Sequence, residues 1–439
     1  LREIGFIFLL ILPIYYLFIR KQIYSIFDPL LLYVVFNSTS IALVVYLYVY
    51  NMIKYEYFIY FILAILLFIL GVLFGGRKKI KIPKYKREHI FLQYSLWMDI
   101  ALFIITILLM VSNIVLYVKK GTLPIFSDNP TEAKVTLYTG GFGIIRRLNF
   151  ALPYFALSIS FLKLFHPYLK IGLQKRIYYS SIVFIISLII ISMGSKSGLL
   201  IVISILFSIL MINMQFKGNL FVHYHGFVNN QKIKKWSRRI LIFSIGFLFL
   251  ILVLTGNETT VFDSLIVRLV MSGDTFYFFY SYDLEHYFKY SSIDYIPHVL
   301  NVFTSMIRLT EYEFPIGVLI MNYSLNLPID KYASFGPNAQ YPVEGLIYFG
   351  KYGMLIYSFI IGYIISYFRI TYLKKMLQKP NYFNLMKYSV ISSLIIIIAT
   401  DVTYFFTVFF DILFFGGFIL LISLLISTLV QKRKIQIQQ

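Results

Sequence analysis

The chain has 439 residues, 59% hydrophobic and 13% charged, with a formal net charge of +21 and no cysteine. That much apolar surface exceeds what a core of this length can hide from water, so composition excludes a soluble globular protein and points to an integral membrane protein. Lack of cysteine excludes disulfides and thiolate metal sites, and the basic residues, crowded into short loops between apolar runs, mark topology rather than nucleic-acid binding.

Hydropathy predicts spans at 3–19, 30–50, 57–75, 95–117, 148–165, 177–193, 199–214, 240–255, 346–368, 388–400 and 402–430. Each is long enough, or nearly so, to cross ~30 Å of hydrocarbon as a helix rising ~1.5 Å per residue. The expected fold is an all-α polytopic membrane protein of about 11 transmembrane helices, within a range of 10 to 13, because the last two runs meet at Asp401 with almost no turn. Arg20 and Lys21 follow the first run without a small-residue cleavage site, so no cleavable signal peptide is expected.

Orientation follows from the basic stretches RKKIKIPKYKRE (77–88), HPYLKIGLQKR (166–176), 216–239, RITYLKKMLQK (369–379) and QKRK (431–434). All five fall on one side of the predicted spans, which the positive-inside rule makes cytoplasmic. The acidic residues, Asp283, Glu311, Glu313 and Glu344 among them, fall mostly on the other. This divides the chain into an N-terminal transmembrane bundle (1–255), a large outer loop (256–345) and C-terminal transmembrane helices (346–439).

A connection of about ninety residues should carry structure of its own. Within it, IPHVLNVFTSMIRLTEYEFPIG has helical apolar spacing between Pro297 and Pro315 broken by charge, and reads as one interfacial or re-entrant helix. LPIDKYASFGPNAQYPVEG, rich in Pro, Gly and Asn, reads as an irregular loop. Tyr crowds the span ends, as in YLYVYNMIKYEYFIYF; this is an aromatic belt at the headgroups, or in part a set of rings for stacking on sugars. No internal repeat is visible, so the inverted-repeat signature of many transporters is missing.

Several catalytic signatures are absent: a Walker loop, HExxH, GxSxG and a clustered His-Cys metal set. What remains is a set of cations and carboxylates on the outer side. In GSKSG (194–198), Lys196 either snorkels toward lipid phosphates or, with the small residues around it, forms a positive cup for a pyrophosphate. In GGFGIIRRLNF, Arg146 and Arg147 open a span on the side that should be poor in positive charge, where paired guanidiniums suit phosphate.

Arg268, within LIVRLVM, needs a partner or a ligand on its apolar face, with Asp263 or Asp274 as candidate partners. Arg308 has Glu311 three residues on, within reach across a helical turn. Candidates for acid or base work are His298, His286, Glu311, Glu313, Glu344 and Asp263. Glu344 ranks ahead of His298 because it lies between a loop and the start of a span.

Taken together, GSKSG after an apolar span, the outer loop holding FDSLIVRL, and the closing pattern ASFGPNAQYPVEGLIYFGKYGMLIYSFIIGYIISYF resemble the Wzy-type O-antigen and oligosaccharide-repeat-unit polymerases. The family commonly carries Arg in a GSR-like tripeptide where this chain has Lys196, which keeps the charge but loses the bidentate fork. The resemblance implies a GT-C-like glycosyltransferase of the bacterial inner membrane, working on its periplasmic face. It would join glycans carried on undecaprenyl pyrophosphate, without nucleotide sugar or metal, and a chain-length-regulating co-polymerase is a possible partner alongside membrane lipid.

In that frame Arg146, Arg147, Lys196, Arg268 and Arg308 would bind pyrophosphate, Glu344 or His298 would activate the acceptor hydroxyl, and Tyr341 would hold sugar. An O-antigen ligase, which would transfer finished polymer, and a lipid-linked oligosaccharide flippase or exporter are the alternatives.

Overall fold

The structure, a computed structural model, describes residues 2–25, 27–77, 96–124, 127, 133, 136–137, 141–165, 171–193, 196–216, 270–327, 336–379 and 381–438. Among them there is no strand. The helices are α1 (Arg2–Ile19), α2 (Pro29–Val49), α3 (Tyr55–Gly75), α4 (Leu96–Lys120), α5 (Gly143–Leu164), α6 (Leu173–Ser192) and α7 (Lys196–Phe216). After the predicted run at 240–255, which lies outside the described residues, come α8 (Asp274–Ser281), α9 (Tyr295–Met306) and α10 (Ile316–Ser324). The chain closes with α11 (Tyr341–Gln378), α12 (Tyr382–Leu394), α13 (Val402–Asp411) and α14 (Gly417–Gln438).

Eight helices among the described residues, three of them formed by joining neighbouring elements at 3–22, 382–399 and 402–431, are long and apolar enough to cross a membrane. The protein is therefore a multi-pass, all-helical membrane protein. Two further predicted runs are also helical. Of these, α5 carries Arg146, Arg147 and Lys163, and the apolar part of α7 shortens to Leu200–Ile212.

The chain forms two compact units, each discontinuous in sequence: Leu1–Lys79 with Asn219–Thr371 and Ile395–Phe406, and Ile80–Gly218 with Tyr372–Leu394 and Thr407–Gln439. In the second unit α5 is central, buried without interruption from Ala151 to Lys163 and touched by α4, α6, α7 and α12. Its Ala and Ser residues let neighbouring helices close in on every side, as is usual inside membrane bundles. Hydroxyls then find partners across helices: Ser389 donates to Ser158 at 3.0 Å, and the Ser208 and Ser392 hydroxyls meet at 2.7 Å. Lys163, buried at the end of α5, is neutralised by Asp99 at 3.2 Å, which also accepts from the Tyr179 hydroxyl at 2.9 Å.

The first unit is tied by two polar anchors. Asn37 of α2 donates to the Tyr15 hydroxyl of α1 at 2.8 Å. Asp28 caps α2 by accepting from the Leu30 amide at 2.9 Å, and its two oxygens receive Arg369 of α11 at 2.5 and 2.6 Å. Both members of that ion pair are buried, so each satisfies a charge that would otherwise be stranded.

Contact between α3 and α11 is set by glycine. A Cβ on Gly71 would overlap the Phe359 carbonyl, one on Gly75 the Tyr363 carbonyl, and one on Gly362 the Phe68 carbonyl. Gly71 and Gly75 form a GxxxG spacing in the apolar run of α3, the arrangement that lets two backbones touch in lipid. The two helices run parallel, since α11 passes Gly71 at Phe359 and Gly75 at Tyr363.

The structure corrects the predicted start of the span at 346 and the boundary drawn there. Helix α11 opens at Tyr341 and is broken at Gly350, whose φ of 67° and ψ of −175° are closed to residues with a side chain. Tyr341 stacks on Phe68 with ring centroids 4.8 Å apart, whereas Lys351 reaches Glu56 at 2.7 Å, twelve residues nearer the start of α3. The chain from 341 to 350 therefore climbs against the direction of the helix that follows it. It is a fold-back segment, buried from Tyr341 to Tyr348, and not the edge of an outer loop.

Gly71→Ala should lower the thermal unfolding midpoint of the detergent-solubilised protein, with a cost of the ~1–3 kcal/mol typical of overpacking, and Gly71→Leu should abolish accumulation of folded protein. Unchanged midpoints in both variants would contradict the close α3–α11 contact.

Candidate functional site

The fold-back segment enters through a piece of non-helical chain held inside the first unit. Ser40, midway along α2, donates to the Ser272 carbonyl at 3.2 Å, and Thr39 and Ser272 share a hydroxyl contact of 2.6 Å. Gln340 donates to the same Ser272 carbonyl, and Thr275 donates to the Asn338 carbonyl. Irregular backbone at membrane depth is tolerated only where protein groups or a cavity satisfy it, and here serine, threonine and glutamine do so.

Four residues into the segment stands Glu344, 1% exposed. The Tyr357 hydroxyl, on the far side of the Gly350 break, donates to its Oε2 at 3.1 Å. Tyr357 in turn shares a 2.7 Å hydrogen bond with the hydroxyl of Tyr295, the first residue of α9. The Tyr295 ring packs against Tyr348 and Phe349 at 5.2 and 5.1 Å between centroids. Asp401, at the N-terminus of α13, where it accepts from the Tyr404 amide at 2.7 Å, is close enough to act electrostatically on Glu344.

One helical turn beyond Tyr295, His298 is buried between Tyr290 and Tyr348, 5.7 and 5.9 Å between ring centroids. Its Nδ1 meets Glu313 Oε2 at 2.9 Å. Asn301 holds the strap that carries Glu313, donating to the Glu311 carbonyl and accepting from the Glu313 amide, both at 2.8 Å. The helix predicted between Pro297 and Pro315 is thus cut short: α9 ends at Met306, and 307–315 is a non-helical strap that leads into the buried α10. Charge in TEYE breaks the apolar pattern, and Arg308 with φ of 59° ends α9.

Electrostatics divide the groups. Burial pushes the His298 imidazole below its ordinary range, an effect the Glu313 carboxylate partly offsets, so the ring is held neutral. Burial, reinforced by the Glu344 carboxylate, pushes the Tyr295 phenol far up, so it stays an O–H group. Beside this cluster lies a charged rim: Lys54 and the Tyr57 hydroxyl both donate to Asp283, at 2.6 and 2.5 Å, and hold its carboxyl below the usual range.

Of the predicted site residues, Glu344, His298, Arg308 and Tyr341 belong to the first unit, and the first two contact one aromatic cluster. Arg308 is exposed, and its left-handed backbone replaces the expected helical turn, so no ion pair to Glu311 forms among the described residues. Tyr341 is wholly buried against Phe68 and packs rather than presenting its ring outward, contrary to the expected sugar contact.

Arg146, Arg147 and Lys196 belong to the second unit. Arg147 is bound to Asp411 at 2.8 Å, while Arg146 is exposed and lies over the Phe150 ring at 5.9 Å. Lys196 begins α7, with its side chain outside the described residues; Arg268 and Asp263 also lie outside them. Asp274 is described, half-buried at the start of α8. Among the described residues no group of three or more His, Asp or Glu is placed to hold a metal ion.

Sequence reasoning missed Asp411, Tyr295 and Tyr357. Asp411 stands 264 residues from Arg147, and the two tyrosines are drawn from 38 without a local pattern to mark them. Comparison with protein-family models, with curated proteins and with solved structures yields no match.

Because the native state holds His298 neutral, the unfolded chain binds more protons as pH falls through the ordinary imidazole value of ~6.5. Its contribution to stability is therefore complete above that value and lost as pH drops toward the lowered native value. NMR of imidazole-labelled protein should show His298 titrating below ~6.5, and lower still in Glu313→Gln, where the carboxylate that raises it is gone; a titration at or above ~6.5 would contradict its burial.

Proposed function

We propose that this protein is a lipid-linked glycan polymerase, transferring an oligosaccharide from undecaprenyl pyrophosphate to the non-reducing end of a second lipid-linked repeat unit. The observation that carries the reading is the Glu344 carboxylate, buried on a fold-back segment and reached by the Tyr357 hydroxyl in an aromatic cluster that also holds a buried imidazole. A general base needs such a placement, in hydrogen-bond reach of hydroxyl groups and screened from bulk water. It adds to the resemblance in the segment ASFGPNAQYPVEGLIYFGKYG, which contains Glu344 and the Gly350 break.

In this reaction the acceptor hydroxyl attacks the anomeric carbon as its bond to the pyrophosphate oxygen breaks, and negative charge gathers on the departing phosphates. Cations in a water-poor setting stabilise that charge as it forms. Arg308, exposed on the strap beside the cluster, is suited to this role in the first unit. Arg146, Lys196 and Arg268 are assigned to pyrophosphate binding by the resemblance, and Arg147 through its Asp411 pair to the folding of the second unit. The GT-C-like architecture, the full complement of about 11 spans, the inner-membrane location and the periplasmic orientation of the site belong to the same proposal.

Incubating the purified protein with undecaprenyl-pyrophosphate-linked glycans extracted from the producing bacterium, and with no other partner, should give a ladder of extended products. A ligase or a flippase leaves the unit unextended. Glu344→Gln should reduce the rate of extension by ~10²-fold or more, the usual weight of a general base, with substrate binding little changed; an undiminished ladder from that variant would remove Glu344 from the reaction.

A further inference from the structure

We infer that the proton leaving the acceptor hydroxyl reaches Glu344 through two phenols, with Tyr295 the residue that touches the acceptor and Tyr357 the relay. The inference rests on the polymerase reading and gives that site its proton path. Glu344 is 1% exposed, and its one described side-chain hydrogen bond is to Tyr357, so an acceptor has no open line to the carboxylate. Tyr295 is half-buried, at the first turn of α9, and its hydroxyl lies 2.7 Å from that of Tyr357.

Proton counting orients the chain of bonds. A phenol has a single hydrogen to donate. Tyr357 spends its hydrogen on Glu344, so its oxygen must accept the hydrogen of Tyr295. The Tyr295 oxygen is left with lone pairs and no hydrogen to give outward, which makes it an acceptor for an incoming sugar hydroxyl.

When the acceptor oxygen bonds to the anomeric carbon, its O–H bond breaks and the hydrogen passes to Tyr295. Tyr295 releases its own to Tyr357, and Tyr357 releases its own to Glu344. Both phenols end as they began and the carboxylate gains one proton. The electron pair of the broken anomeric carbon–oxygen bond departs on the lipid pyrophosphate.

The neighbouring rings supply a control. Tyr348 packs against Tyr295 in the same cluster, yet its hydroxyl is buried without a hydrogen-bond partner, so it stands outside the chain of bonds. Each Tyr→Phe change keeps the ring and removes only the oxygen.

With purified full-length protein and the same extracted lipid-linked glycans, Tyr295→Phe and Tyr357→Phe should each lower kcat by ~10²-fold. KM should stay within about twofold, and the solvent deuterium isotope effect of the wild type should change in both. Tyr348→Phe should behave as wild type. Separately from turnover, the infrared carboxyl band assigned by Glu344→Gln should shift in Tyr357→Phe.

Wild-type turnover in both phenol variants overturns the relay and leaves the polymerase reading standing, as does an unshifted carboxyl band. Loss of activity with KM raised and kcat retained overturns it too, since that outcome is substrate packing. A carboxyl band that shifts in Tyr357→Phe, together with a wild type that never extends the glycan, overturns the polymerase reading, and the relay as a catalytic path falls with it.

Discussion

The break at Gly350 is the constraint on which the first unit depends. Only a residue without a Cβ accepts φ of 67° with ψ of −175°, and that single reversal turns ten residues back along the helix they precede. Glu344 and Tyr357, thirteen residues apart, then come within hydrogen-bond distance across the turn. The fold-back also needs room, and the glycine contact of α3 with α11 provides a rigid wall beside which Tyr341 can stack on Phe68. Without either feature the carboxylate would stand at the start of a continuous helix, far from Tyr357.

An apolar environment makes every polar group consequential. Water cannot satisfy a stranded donor in hydrocarbon, so a buried charge calls for a partner elsewhere in its unit. The Asp28–Arg369 and Lys163–Asp99 pairs serve this purpose at helix ends, and the serine contacts between α5, α7 and α12 serve it within the second unit. Against that background the strap of 307–315 is unusual, since it carries Arg308, Leu309, Glu311 and Tyr312 exposed while Asn301 and His298 fasten it to α9.

Much of the architecture was legible before any coordinates. Runs of apolar residues near twenty long report the helices directly, because a membrane span must satisfy its backbone within itself. The GxxxG spacing in LGVLFGG was equally open to reading and names its own consequence, a close helix contact. The carboxylate Glu344 and the imidazole His298 stood out by residue type. Their setting did not: Tyr295 and Tyr357 are two among 38 tyrosines, and nothing local distinguishes a belt tyrosine from one bonded to a buried acid.

Span length and residue composition thus determined by themselves that this is a multi-pass helical membrane protein, since hydrophobic burial in lipid depends on the chain's own run of side chains. The direction of the segment 341–350, the pairing of Arg147 with Asp411 and the bonding of Tyr295 to Tyr357 were decided only by tertiary structure. The reason is physical: these contacts join residues brought together by a left-handed turn or by packing across as many as 264 positions, and hydropathy carries no memory of such distances.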